Sequence, residues 1–130
     1  MKNASFKPDP TLVTFSDLTS EGGFQATGRL LEQAIPPTAI VCVNDLVAIG
    51  AMHAVHQHGM KVGRDIAIAG FDGIADSAHT QPPLTTLDQP VYTIARKLVS
   101  MLLYLIKGES LLEPQIRIQP KLLIRASTDG

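Results

Sequence analysis

The 130-residue sequence has little of what several protein classes require. Cys42 is the only cysteine and lies in an apolar run, so a disulfide framework is excluded and a buried structural thiol is expected. The net charge is −1, with acidic and basic residues interspersed, so the basic patch that phosphate contacts need is missing. No apolar run reaches about 18 residues, and Met1–Pro10 lacks the apolar stretch of a signal peptide. We therefore expect a soluble cytoplasmic protein with no membrane contact.

Two apolar runs separated by a helical stretch are the most informative feature of the chain. Ala39–Val43 is followed by a helical pattern over Asp45–His58, which Gly59 ends, and then by the second run, Ile66–Phe71. Short strands that are almost wholly apolar are typical of a parallel sheet buried on both faces, and parallel neighbours need a crossover, usually a helix. The pattern predicts a β-α-β unit and therefore an α/β fold with adjacent or near-adjacent parallel strands.

Capping residues and apolar periodicity predict the other elements, in a domain over residues 11–130 that follows a loop or frayed end at residues 1–10. The predicted elements are a β-prone segment at Thr11–Phe15, a helix from Thr19 or Ser20 to about Gln33, an extended segment at Leu84–Leu87, a helix at Val91–Lys107 and a last strand within Ile116–Leu123. The inward face of the helix at Val91–Lys107 is expected to hold Ile94, Leu98, Met101, Leu102 and Leu105.

Polar residues follow both predicted strands. In open α/β sheets, ligands bind outside the carboxyl ends of the strands, which places Asn44 and Asp72 beside a small polar molecule. The amide of Asn44 suits vicinal hydroxyls, but asparagine is also a favoured helix N-cap. The carboxylate of Asp72 can accept hydrogen bonds from two hydroxyls or from a cationic group, but it could instead form an Asx-turn into Gly73.

The same stretch resembles the LacI/GalR family of bacterial transcription regulators. The family's N-D-x-x-A-x-G-A helix start is matched by Asn44–Ala51, and its G-F/Y-D-D/G motif by Gly70–Gly73. Its P-x-L-T-T motif is matched within Pro82–Thr86, and its L-x-x-R-x-S ending within Leu123–Ser127. The match covers roughly residues 11 to 128, and four motifs in the right order and spacing are specific.

The resemblance implies the C-terminal part of an effector-binding domain with a periplasmic-binding-protein-like (type I) fold, apparently incomplete. It implies a small-molecule effector, a sugar or sugar derivative, held between subdomains. It also implies a homodimer that meets DNA only through a headpiece, which this chain lacks. The rival interpretation is a periplasmic sugar-binding transport receptor of the same fold.

The resemblance also implies ligand contacts beyond Asn44 and Asp72. Leu18 aligns where family members can carry a stacking aromatic, although a core leucine at a strand end is an equal alternative. Gln89 and Val91 align with residues that line the cleft, and Gln89 could instead be an ordinary helix-start residue. Gly73 departs from the family pattern, since many members have a second aspartate there.

A second apolar face on the helix from Asp45 favours a partner surface. At about 100° per residue, Ile49 and Met52 point nearly opposite the stripe that suits the sheet. That stripe consists of Val47, Ala51, Ala54 and Val55. In the resembled family this helix and the loop near His79 and Thr80 lie at the dimer interface. The alternative is that Ile49 and Met52 are scattered surface residues, which are normal.

Other constellations do not support catalysis or a metal site. The helix histidines His53, His56 and His58 have no carboxylate or cysteine at ligand spacing. Asp76, Ser77 and His79 are triad residue types, but neighbours in one loop seldom orient as nucleophile and base. The sequence therefore predicts a protein that is not an enzyme and that uses no cofactor.

Overall fold

The computed structural model describes residues 9–111 and 113–129, so most of the predicted N-terminal loop lies outside the described residues. The strands are β1 (Ala39–Val41), β2 (Ala67–Asp72), β3 (Thr85–Asp88) and β4 (Lys121–Leu123). The helices are α1 (Ser20–Leu31), α2 (Asp45–Gln57) and α3 (Val91–Ile106), with short 3-10 turns at Pro10–Leu12 and Ala75–Ala78. In the part of the chain that is described, no helix has the length and hydropathy to cross a membrane.

The sheet is mostly parallel and has the order β1-β2-β3-β4. Ala39 pairs with Ala67 and Val41 with Ala69 in a parallel ladder, and β3 continues the parallel arrangement beside β2. The predicted β-α-β unit and the adjacency of its two strands are confirmed. The last strand, β4, is antiparallel to β3.

A side-chain hydrogen bond caps the first turn of α1 and of α2. The hydroxyl of Thr19 accepts a hydrogen bond from the N–H of Gly22 at 3.0 Å, and Asn44 Oδ1 accepts one from the N–H of Val47 at 2.8 Å. Each cap satisfies an amide that the first turn leaves without a helical partner. At the other end of α2, Gly59 takes a φ of +73°, which few side chains tolerate.

Glycine lets α1 and α2 approach closely. A Cβ at Gly50 would lie 1.8 Å from the carbonyl oxygen of Ser20, and one at Gly23 would lie 2.1 Å from that of Val47. Because both obstacles are backbone atoms, a side chain at either position would push the helices apart. The two helices therefore form one layer, and that layer covers one face of the sheet.

The core lies between this helical layer and the sheet. Its members come from α1, α2, β2 and the segments beside the strands: Leu31, Cys42, Val47, Ala48, Ala51, Met52, Val55, Val62, Ile66, Ile68 and Leu84. The expectation that Cys42 is buried is confirmed, since its exposed fraction is 7 %.

The opposite face of the sheet is only partly covered by the described residues: Thr85, on this face, is 4 % exposed, but the face is open at β1. Val41, on this face, is 85 % exposed, and no residue of α3 is buried. The predicted bounds of α3 are confirmed to within one residue, but the predicted burial of its apolar stripe is wrong. Leu98, for example, is 61 % exposed, because no described helix or strand makes extensive contact with α3.

Two predicted strands are also corrected. Thr11–Phe15 is not a strand, because Asp9 caps a 3-10 turn at Pro10–Leu12 and the residues that follow pair with no strand. This segment is tied instead to α1, where Arg29 donates to the carbonyl of Phe15 at 3.0 Å. Within Ile116–Leu123 only Lys121–Leu123 is a strand; the proline that precedes it has no N–H to donate to a ladder.

Candidate functional site

The carboxyl edge of the parallel strands brings together Asn44, Asp72 and Gln89. Asn44 and Asp72 each lie three residues beyond the registered pair Val41 and Ala69, so they reach the same edge. Asp72 is itself paired with Asp88, which directly precedes Gln89. Gln89 Nε2 donates to Asp72 Oδ1 at 2.6 Å. All three side chains are half-buried, so each has solvent-accessible surface.

The fold already uses the acceptor oxygen of Asn44. Its Oδ1 caps α2, which confirms the capping alternative, while its amide NH₂ makes no hydrogen bond within the described part of the chain. An asparagine side chain has two donors as well as its acceptor, so capping and ligand contact are compatible. A ligand at Asn44 would meet mainly N–H donors.

The backbone turns sharply at Asp72 and Gly73. Asp72 has a φ of +114°, and Gly73 has a φ of +73°. A Cβ at Gly73 would lie 2.6 Å from the Cα of Asp88. The departure from the family pattern at Gly73 therefore has a local explanation, since a side chain there would collide with the end of β3.

Leu18 and Val91 would add apolar surface to this edge, and Val91 lies next to it, since its N–H donates to the carbonyl of Gln89 at 2.8 Å. Leu18 is 60 % exposed, so the core-leucine alternative is wrong. It lines an apolar groove between the segment before α1 and the free edge of β1, together with Phe15 and Val43. Val91 begins α3 and is 64 % exposed. Both residues could contact a ligand only through apolar surface.

Asp45 is a structural residue of the site that was not predicted from the sequence. Its carboxylate is fully buried and accepts from Thr86 Oγ1 at 2.6 Å and from the N–H of Ile74 at 2.9 Å. A Cβ at Gly70 would lie 2.3 Å from Asp45 Oδ1, so a side chain there would displace the buried carboxylate. The one sign in the sequence that Asp45 would be buried is its position on α2, three residues before the buried Ala48. Asp45 links the start of α2 to β3 and to the loop after β2.

The carboxyl-terminal motif is structural. Arg125 Nη1 donates to Ser77 Oγ at 2.9 Å and to the carbonyl of Leu84 at 2.7 Å. Ser127 Oγ accepts from the N–H of Thr85 at 2.7 Å and donates to the carbonyl of Ile68 at 2.6 Å. These bonds close the fold around β2 and β3, because they satisfy backbone groups that no helix or strand reaches.

The environment of Cys42 makes its thiol unreactive. Burial, together with the nearby negative charge of Asp45, raises the pKa of the Cys42 thiol to about 12. The thiolate is the nucleophilic form of cysteine, and it is scarce at neutral pH when the pKa is this high. Cys42 is therefore a core residue with no part in the site.

The predicted partner surface needs one correction. Met52 is 2 % exposed and belongs to the core, so the expectation that it faces solvent is wrong. Thr80 and Gln81, in the loop after the 3-10 turn, lie over that side of α2 and share a shallow depression with Ile49 and Met52. Ile49 and Thr80 are half-buried and His79 is exposed.

The described residues contain no cluster of three side chains that could hold a metal ion. Ser77 Oγ is buried, donates to the carbonyl of Ile74 at 2.6 Å and accepts from Arg125, so it is engaged by structural partners. The chemistry that the edge supports is reversible hydrogen bonding.

Known proteins resemble this chain in sequence. Residues 1–128 match the periplasmic binding protein-like domain family. The HTH-type transcriptional repressor CytR of Escherichia coli (strain K12) is 35 % identical over 128 residues, which are 98 % of this chain and 38 % of CytR. The chain thus spans well under half the length of the curated relatives it matches.

Solved structures show the same likeness. The lac repressor dimer bound to operator and an anti-inducer has a TM-score of 0.83 at 35 % identity, over 88 % of this chain and 34 % of that one. The complex of the transcriptional regulator CelR with cellobiose has a TM-score of 0.88 at 29 % identity, over 95 % and 38 %. This chain belongs to the periplasmic binding protein-like domain family and corresponds to part of the effector-binding region of LacI-family regulators.

Proposed function

We propose that the carboxyl edge formed by Asn44, Asp72 and Gln89 binds a small polar effector, a sugar or a sugar derivative. The observation that carries the proposal is the convergence of an amide donor and a carboxylate acceptor at one sheet edge. A hydroxyl group can accept from the first and donate to the second, so a polyol satisfies both. Leu18 and Val91 would contribute apolar contact at the margins of the ligand.

In a longer regulator, the effector would act by population shift. It would bind two arrangements of the subdomains with unequal affinity, since a ligand that binds both equally shifts nothing. The chain would take part in a cytoplasmic regulator that contacts DNA through a separate headpiece. With a net charge of −1, this 130-residue chain should give no operator-specific complex in a gel-shift assay. The transport-receptor alternative is disfavoured because the relatives are repressors.

A thermal-shift titration with cellobiose and related sugars tests the site. A ligand that binds the native state raises the melting temperature by mass action. Asn44→Asp keeps the cap acceptor but removes the amide donors, and Asp72→Asn removes the charge. Both should reduce the shift, with a loss of binding of about 1.5–3 kcal/mol for the charged contact.

Asp76→Asn is the matched control for this titration, because Asp76 is exposed and lies away from the edge on the 3-10 turn. Its variant should shift as the wild type does. If the Asn44 and Asp72 variants also shift as the wild type does, the edge is not the site.

We also propose that two copies of the chain pair through the surface of Ile49, His79 and Thr80, with Met52 buried beneath it. This surface combines the outward side of α2 with the loop that lies over it. A two-fold dimer would set the same patch of each copy against its mate. The lac repressor structure similar to this chain is a dimer.

Light scattering at micromolar concentration tests the pairing. Ile49→Asp should shift the chain toward monomer, since it places an unpaired charge in an apolar contact. Met52 is unsuitable for this test because a charge there would disrupt the core. Ile35→Asp is the control, because Ile35 is 84 % exposed in the loop after α1. A monomeric wild type would refute the proposed surface.

A further inference from the structure

Asp72 has a backbone conformation that side chains disfavour. Among the described residues it is the one non-glycine residue with a positive φ, at +114°. In this region the Cβ of an L-residue crowds its own backbone, and only glycine is free of the penalty. Such residues persist only where the surrounding structure fixes them, and they cluster at functional sites.

The end of β3 fixes this conformation. The N–H of Gln89 donates to the carbonyl of Asp72 at 3.2 Å, and Gln89 Nε2 donates to Asp72 Oδ1 at 2.6 Å. The backbone bond holds the main chain, and the side-chain bond holds the carboxylate. Gly73 packs directly against Asp88, which leaves the turn little room to relax.

Gln89 therefore fixes both the backbone and the carboxylate of Asp72. The other carboxylate oxygen, Oδ2, makes no hydrogen bond among the described residues, so the fold has no use for it. A glycine at this position would avoid the strain and keep the backbone bond. Oδ2 is therefore available to a donor outside the fold.

We propose that Gln89 is a positioning residue, which holds the strained Asp72 and its carboxylate in the proposed site. Gln89 would occupy Oδ1 and aim Oδ2 at one O–H or N–H donor of the effector. This inference rests on the function proposed above and assigns Gln89 an indirect role in it. It predicts an unusual order of stabilities at position 72 and a coupling between positions 72 and 89.

The stability order tests the strain without any ligand. At an ordinary position alanine is more stable than glycine, but at a positive φ the order is reversed. Asp72→Gly should therefore melt above Asp72→Ala, by on the order of 4 °C. At the control position, Asp76→Ala should melt above Asp76→Gly. If alanine is also the more stable at position 72, the strain is absent and the proposal fails.

The coupling is measured with cellobiose as the probe, by following the amide resonances of the 130-residue chain in a titration to millimolar concentration. Gln89→Met should weaken binding by about tenfold in the wild-type background and cause no further loss beside Asp72→Gly. Additive losses would show that Gln89 contacts the ligand itself and would overturn its positioning role.

A double-mutant cycle at positions 72 and 89, measured on the free energy of unfolding, separates this inference from the proposed function. Removal of the side-chain bond should make Asp72→Ala and Gln89→Met non-additive whether or not cellobiose binds. Additive unfolding energies would contradict the positioning role directly. Absence of any cellobiose response in the wild type, with the stability order and the unfolding coupling intact, would count against the proposed effector class alone.

Discussion

The helices α2 and α3 are both rich in apolar residues, yet they differ completely in burial. Eight of the thirteen residues of α2 are buried, whereas none of the sixteen residues of α3 is. α2 lies between the sheet, α1 and the loop near Thr80, while α3 makes no extensive contact with any described helix or strand. An apolar stripe shows which side of a helix favours burial, but the burial itself depends on a partner. The residues of the proposed site belong to the packed half or lie at its edge.

Truncation of large apolar residues should separate the two regions most strongly. Leu84→Ala, at a position with no exposed surface, should lower the free energy of unfolding by about 2–5 kcal/mol, because it leaves a cavity in the core. Leu98→Ala on α3 should change it by about 0.5 kcal/mol or less. Urea denaturation of both variants gives the comparison, and equal losses would mean that α3 is packed in solution.

The close approach of α1 and α2 gives a second comparison. Gly50→Ala places a methyl group against the backbone of Ser20 and should cost about 1–3 kcal/mol of unfolding free energy. Gly28→Ala, in the same helical layer but with no atom within 4 Å of the new methyl group, should stabilise the chain by up to about 1 kcal/mol. Thermal denaturation should show opposite signs for the two changes; a loss at both positions would contradict the predicted open space at Gly28.

The thiol of Cys42 reports on the packed region alone. Its pKa is raised to about 12, above the ordinary value near 9, so the folded state favours the protonated thiol. This contribution to stability is present below pH 9 and is lost as the pH rises from about 9 toward 12. A thiol reagent at pH 7.5 should label the native chain far more slowly than the chain in urea. Equal labelling rates would place Cys42 outside the core.

Local chemistry made the packed region predictable from sequence. Thr19 and Asn44 begin helices because their side chains satisfy amides of the first turn, and this depends on neighbours in the chain. The parallel strands follow from two apolar runs and the helix between them. Asn44 and Asp72 were expected at one edge because parallel strands end together, and the register confirms that placement.

The errors concern positions where a distant element decides the outcome. Met52 lies beneath the loop of Thr80 and Gln81, so its place on the helix wheel did not reveal its burial. The role of Asp45 depends on Thr86 and Ile74, which come from other parts of the chain, so its position in the sequence did not reveal it. The periodicity of α3 predicts a buried apolar stripe, but periodicity carries no information on which element is available to cover it.

Amide hydrogen exchange of the 130-residue chain tests the central claim that α2 and the sheet form a packed unit to which α3 does not belong. Elements in the packed unit should exchange through large openings, whereas a helix without partners exchanges through local ones. The account predicts that amides of α2 and β2 are protected to near the global unfolding free energy, and that amides of α3 are protected weakly. Protection of α3 equal to that of α2 would contradict it.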